Sequence, residues 1–170
     1  TKPLHAGWAA GHGIEAALLA EAGVTAQPDL LESPTGFLAA FSPAGRADRS
    51  AWQPASDLRI RHNGLTIKKY PVCYASHRVI DGVLDLRRQH GLSGADIGGI
   101  TATISDFNAR VLHSHAPGTA LEGKFSLEFA CAVALCDGAV GMHEVTDERV
   151  RSQDIRRLMA AVQVHTVPPG

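Results

Sequence analysis

Three stretches of the chain put cations and histidines where a carboxylate, or a proton on the carbon beside one, could be handled. The first is Thr1-Lys2-Pro3-Leu4-His5-Ala6-Gly7. Lys2 and His5 are three residues apart and share a face if the run is helical. Cations at a helix start add to the positive end of its dipole, which disfavours the helix but suits an anion. The alternative is a frayed, solvated N-terminus. The second stretch is Lys68-Lys69-Tyr70-Pro71-Val72-Cys73-Tyr74-Ala75-Ser76-His77. Pro71 stands where a strand-like run hands over to a helix, and such junctions expose N–H groups to anions. Lys68 or Lys69 could grip a carboxylate, and His77 could donate to one or carry a proton. The alternative is two solvated edge-strand lysines and an exposed first-turn histidine. The third stretch is Gly123-Lys124-Phe125-Ser126-Leu127-Glu128-Phe129, where Lys124 lies two residues ahead of a helix cap. A cap with a surface lysine is the plain alternative there.

The elements that must position these residues follow from pattern. His12–Ala22 carries a stripe of Ile14, Ala17, Leu18 and Ala22, with Gly23 suited to the C′ position. A second helix is expected from Pro28 through Phe41, with Asp29 or Ser33 as cap and Leu38 and Phe41 facing a core. Residues 42–56 read as a Pro- and Gly-rich loop pinned by Trp52, and this composition shift marks a boundary between a helical part and a mixed part. Leu65–Tyr70 alternates like a strand after the turn at Asn63-Gly64. Ser76 is the expected N-cap of a helix running to Gln89, with Val79, Ile80, Val83, Leu84 and Leu86 inward and Gly91 at its end. Ile97–Ile104 reads as a second strand and Gln163–Val167 as a third. Ser126 is expected to cap a helix that is apolar on all sides from Phe129 to Leu135, hence buried or set against another subunit. Ser152 is expected to cap the last helix, with Ile155, Leu158, Met159 and Val162 as its stripe. The fold class is therefore α+β: a helical N-terminal piece, residues 1–56, then a small α+β domain, residues 57–170.

Composition narrows the function. The 170 residues are 45% hydrophobic and 19% charged, with a net charge of -1. That balance argues against a nucleic-acid or anionic-membrane partner. No run approaches the roughly 18 apolar residues of a membrane span, and the start does not resemble a signal peptide. A chain beginning at Thr1 reads as processed or as a piece of something longer. Cys73, Cys131 and Cys136 form no CxxC pair, and an odd number argues against a disulfide scaffold. Cys131 and Cys136 are expected to be small buried residues. A cytoplasmic location fits. No HExxH spacing occurs, and His113-Ser114-His115 reads as a solvated loop rather than a metal site.

Taken together, "TKPLHAG" before an alanine-rich helix, "KKYPVCYASH" before another, and "GKFSLEFACAVALCDG" resemble, in that order, the MmgE/PrpD family. "PTGFL" at 34–38 and the strand "ITATI" also sit where the family has comparable pieces. The resemblance covers most of the chain. The family includes 2-methylcitrate dehydratase, cis-aconitate decarboxylase and iminodisuccinate epimerase. It implies a helical domain with a smaller α+β lid-type domain, a homodimer without metal or organic cofactor, and a small di- or tricarboxylate as substrate. The shared chemistry is proton abstraction next to a carboxylate, where fixed cations stabilise the developing charge. By the resemblance, Lys2 and His77 are the catalytic residues, and Lys68, His5 and Lys124 bind substrate. Cys73 stands where the decarboxylase branch has a histidine and Phe129 where many members have a tyrosine. Both reduce polarity near the expected pocket and favour dehydration or epimerisation over decarboxylation; the expected reaction is dehydration, a hydro-lyase reaction on a substrate such as 2-methylcitrate in propionate catabolism. An epimerase of an amino- or imino-dicarboxylate, and a non-catalytic dimerisation or anion-binding module, are the alternatives. Family chains are longer at both ends, so this chain is expected to be an incomplete fragment with little activity alone.

Overall fold

The computed structural model describes residues 2–42, 46 and 59–168. The chain divides into two units, residues 1–64 and 65–170. The first is helical. Helix α1 (Lys2–Glu21) begins ten residues before the apolar stripe suggested. Pro3 fits a first turn, where its missing N–H costs nothing, and the alanines and leucines outweigh Gly7, Gly11 and Gly13. The helix ends where Gly23 takes φ 90° and Val24 donates to the Leu19 carbonyl at 2.9 Å, a C-terminal cap.

The expected helix over Pro28–Phe41 is instead a series of turns followed by the short α2 (Phe37–Phe41). Pro34 cannot continue a helix. Buried Ser33 donates its N–H to the Asp29 carbonyl at 2.8 Å. Gly36 packs so closely on Leu30 that an added Cβ would meet the Leu30 carbonyl oxygen at 2.0 Å. Leu38 is half-buried, but Phe41 is exposed and stacks only on Phe37, so it is not the core contact expected. Most of the 42–56 loop, Trp52 included, lies outside the described residues. A short helix, α3 (Arg59–Asn63), follows it.

In the second unit the expected strand Leu65–Tyr70 is absent: Leu65 and Ile67 are exposed and their backbone joins no ladder. Alternation makes a strand only where a neighbouring strand accepts the hydrogen bonds. Helix α4 (His77–His90) keeps its predicted limits, with Ser76 at the N-cap position and Gly91 left-handed at its end. Ser76 does not cap through its hydroxyl, which donates backwards to the Cys73 carbonyl at 2.8 Å. Ile80 and Val83 are buried and Val79 and Leu84 half-buried, whereas Leu86 is exposed and drops out of the expected face.

Strand β1 (Ile100–Ser105) pairs in parallel with β2 (Val162–Val167), Ile100 opposite Val162 and Ser105 opposite Val167. Ala102 and Ile104 are buried while Thr101 and Thr103 are exposed, as the alternation predicts. Parallel strands need a long crossover, and here it consists of α5 (Asp106–Val111), α6 (Ala120–Gly123), α7 (Leu127–Asp137), α8 (Asp147–Arg151) and α9 (Gln153–Ala160). Val162, expected on the stripe of α9, therefore belongs to β2. Helix α7 is the centre: every residue from Leu127 to Leu135 is buried, covered by α4 and α9. It is an interior helix of its own unit, not a face awaiting a subunit. Arg87 of α4 donates to the Leu135 carbonyl at 2.9 Å, satisfying the end of α7. No helix among the described residues is long and apolar enough to cross a membrane.

Arg149 ties the end of α7 to the start of α9. It donates to Asp137 at 2.8 Å through Nε and to both Asp154 oxygens through Nη1, at 2.9 and 2.8 Å. Burial pushes the Asp154 carboxyl up, but the Ser152 hydroxyl and Arg149 outweigh it and hold the group at about 2. A pKa depressed in the folded state adds stability above the unfolded value, near 3.8, and loses it as pH falls through about 2. Denaturant midpoints measured between pH 6 and 2 should therefore fall below about pH 4, and Asp154→Asn should flatten that fall. Phe129 is fully buried, with Gly123 packed against its ring. Phe129→Ala should cost about 3–5 kcal/mol in urea unfolding.

Candidate functional site

Two loops of the second unit are held by consecutive carbonyls of the segment entering α7. The Cys73 N–H donates to the Lys124 carbonyl at 2.8 Å, and the Ser114 N–H donates to the Phe125 carbonyl at 3.1 Å. The first bond fixes the Pro71 turn, which carries Lys68 and His77. The second fixes the His113–His115 loop, and His113 also stacks on Phe125 with ring centroids 5.4 Å apart. Ser126, next in the chain, starts α7: its hydroxyl accepts from the Phe129 N–H at 3.1 Å, the N-cap that the sequence predicted.

The two lysines of the turn differ. Lys69 is committed, since its ammonium pairs with Asp81, one turn into α4, and Tyr70 Oη donates to the same carboxylate oxygen at 2.6 Å. Hydrogen bonds from Lys69 and then Tyr70 hold the Asp81 carboxyl below its usual range, and Asp81 in turn raises Lys69. Burial first, then Asp81, raises the Tyr70 hydroxyl. Lys68 Nζ donates to the Val72 carbonyl at 2.9 Å and, among the described residues, meets no carboxylate. Lys124, half-buried, likewise forms no ion pair there. Lys68 and Lys124 thus stand near the Cys73–Lys124 junction without a carboxylate partner among the described residues.

His77 is not the exposed first-turn residue of the plain alternative. It is buried, edge-on to Tyr70 at 5.2 Å and tilted against Tyr74 at 4.9 Å, and its Nε2 has no hydrogen-bond partner among the described residues. Lys2 and His5 occupy the first turn of α1 in the other unit, both exposed and on one face as their spacing predicts. The structure therefore brings the Lys68, His77 and Lys124 segments together in one unit and carries Lys2 and His5 on the other.

Sequence reasoning passed over Glu128. It lies in the first turn of α7, its side chain only 10% exposed, and its Oε1 is 2.8 Å from His115 Nδ1. Ser126 Oγ donates to Oε2 at 3.1 Å. A charged residue inside an otherwise wholly apolar run was the available signal, because a buried carboxylate requires partners. His115 is consequently tethered, not freely solvated as its loop had suggested. Among the described residues no group of three or more His, Cys, Asp or Glu is placed to hold a metal.

Residues 70–168 match the MmgE/PrpD C-terminal domain, and residues 1–50 match the MmgE/PrpD N-terminal domain. The chain belongs to the MmgE/PrpD family. It is 27% identical over 177 residues to cis-aconitate decarboxylase of Mus musculus, covering 99% of this chain and 35% of the mouse protein. It is 26% identical over 176 residues to the Homo sapiens protein of the same name, with the same coverage. The chain spans about a third of the length of the curated relatives it matches. Within this MmgE/PrpD chain, Cys73 lies at the junction with Lys124, so the position that had read as a departure from the decarboxylase branch touches the lysine-flanked turn. Phe129, the other departure, is a core residue with no exposed surface and leaves the polarity of that turn unchanged.

The three thiols differ in environment. Burial pushes Cys131 up to about 12, with the Glu128 charge adding to it, and burial also raises the half-buried Cys136, which is less enclosed than expected. Cys73 is half-buried on the turn. Peptide mapping after iodoacetamide treatment of the folded chain at pH 8 should show Cys73 alkylated first and Cys131 untouched until denaturant is added.

Proposed function

We propose that the whole protein is a lyase that removes a proton from the carbon beside a carboxylate of a di- or tricarboxylate. The observation carrying this reading is the pair of lysines, Lys68 and Lys124, which meet no carboxylate among the described residues and belong to the two segments joined at the Cys73–Lys124 hydrogen bond. Abstraction of that proton builds negative charge on the carboxylate oxygens, and preorganised cations aimed at it lower the barrier. In this proposal Lys68 and Lys124 bind the substrate carboxylates. His77 is the catalytic histidine of the turn and donates to a substrate carboxylate where the charge develops: its buried Nε2, without a partner among the described residues, is the kind of atom that calls for a ligand. Lys2 is proposed as a second catalytic group and His5 as a further binding group, both carried on the first turn of α1. The protein works as a homodimer without a metal or organic cofactor, as the resemblance implies.

The reaction proposed first is dehydration of a substrate such as 2-methylcitrate. Cys73 supports it, because a thiol at the lysine-flanked turn replaces the histidine of the decarboxylase branch. A second reading, loss of carbon dioxide from cis-aconitate, is favoured by the names of the relatives in mouse and human. The whole protein, incubated separately with 2-methylcitrate and cis-aconitate, separates them. An alkene formed with release of water supports the dehydratase, itaconate with release of carbon dioxide supports the decarboxylase, and no turnover of either sinks both. Lys68→Ala in the active protein should lower kcat/KM by about 100-fold or more, the scale for removing one preorganised charge donor. Wild-type rates in that variant would make Lys68 an ordinary surface residue.

A further inference from the structure

Among the described residues Glu128 is the only buried carboxylate, and no packing need explains it. Leucine or glutamine would sit in the first turn of α7 without the cost of burying a charge. The surroundings instead supply partners for a carboxylate. The carboxylate lies at the positive end of an 11-residue helix, Ser126 Oγ donates to Oε2 at 3.1 Å, and His115 Nδ1 is 2.8 Å from Oε1. An ionised carboxylate only accepts hydrogen bonds, so the nitrogen facing it must carry the proton. The other ring nitrogen, Nε2, is then the acceptor. The His115 side chain is 69% exposed, and its loop is held by the Ser114–Phe125 hydrogen bond beside the loop that carries Lys68 and His77. Where His77 has a buried nitrogen, His115 offers an accessible one.

We propose that Glu128 is a positioning residue that fixes His115 as its Nδ1–H tautomer, and that His115 Nε2 is a proton acceptor for the carboxylate substrate. This role rests on the lyase reading above. In the step, Nε2 takes the proton from the carbon beside the carboxylate, and the C–H electron pair stays on the substrate, spread into the carboxylate. His115 becomes an imidazolium held by Glu128, which stays ionised. In a dehydration the imidazolium returns the proton to the departing hydroxyl, which leaves as water, and the pair is restored.

Two measurements test the assignment. Long-range proton–nitrogen correlation spectra of the 170-residue chain at mildly alkaline pH, with the His115 signals assigned by their loss in His115→Gln, should show the Nδ1–H tautomer. They should revert to the Nε2–H form in Glu128→Leu. An Nε2–H form in the unmutated chain overturns the positioning role. In the whole protein, His115→Gln, which alters an exposed ring, should lower kcat by about 100-fold while KM changes by less than about threefold. Glu128→Gln should lower kcat in the same direction and less steeply. An unchanged kcat in His115→Gln overturns the acceptor role. If the unmutated whole protein turns over no di- or tricarboxylate, the lyase reading and the acceptor role fall together, and the spectra alone decide the tautomer.

Discussion

Helix α7 has no polar stripe between Phe129 and Leu135, so water has to be kept from its whole circumference. That constraint organises the second unit. Helices α4 and α9 lie against α7, and β1 and β2, the strands that flank the run α5–α9, close into a parallel pair. The ends of α7 then become the sensitive points, since a buried helix leaves unpaired N–H groups at one end and carbonyls at the other. At the C-terminal end Arg87 reaches a carbonyl and Gly138 turns left-handed, at φ 69°. At the N-terminal end Ser126 caps the Phe129 N–H, and the preceding carbonyls of Lys124 and Phe125 remain available to other segments. Those carbonyls hold the Pro71 turn and the His113–His115 loop. The candidate site is thus assembled where the central helix enters the core.

The charges sort themselves by what they can reach. Lys69 finds Asp81 and Arg149 finds Asp137 and Asp154, which makes these cations structural. Lys68 reaches a carbonyl, and Lys124 reaches no carboxylate among the described residues. A carbonyl accepts a hydrogen bond but does not cancel a positive charge, so Lys68 keeps most of its attraction for an anion. Sequence proximity did not foretell this division, because adjacent lysines 68 and 69 end in opposite states. Asp81 decides between them through its place one turn into α4, where Lys69 and Tyr70 both hydrogen-bond to it.

Much of the second unit was legible because its signals are local. Gly91 and Gly138 end helices by taking positive φ, Ser126 caps with its own hydroxyl, and the Thr101/Thr103 alternation marks the exposed face of β1. The misreadings share a cause as well: each depends on a partner that the local sequence does not name. Leu65–Tyr70 alternates but has no strand to pair with. Phe41 and Leu86 fit apolar stripes whose neighbouring surfaces stop short of them. The start of α1 lies ahead of the Ile14–Ala22 stripe, in a stretch sustained by alanine and leucine propensity rather than by a buried face. In the candidate site the cationic segments were legible from residue type, whereas the burial of His77 and its partnerless Nε2 were not. Both depend on how Tyr70 and Tyr74 fold back over the first turn of α4.

Glu128 shows how a residue can be visible in the sequence and still be misjudged. In a run read for its apolar character it counts as an interruption. In the folded unit it is a buried charge, and a buried charge has to be matched by specific donors or the helix would not settle there. Ser126 and His115 are those donors, one from the cap and one from a loop thirteen residues earlier. The same match orders the loop: once Nδ1 is committed to the carboxylate, the ring has one remaining nitrogen and one orientation. A requirement of the core, that the one buried carboxylate among the described residues be satisfied, therefore dictates the state of an exposed imidazole beside the lysine-flanked turn.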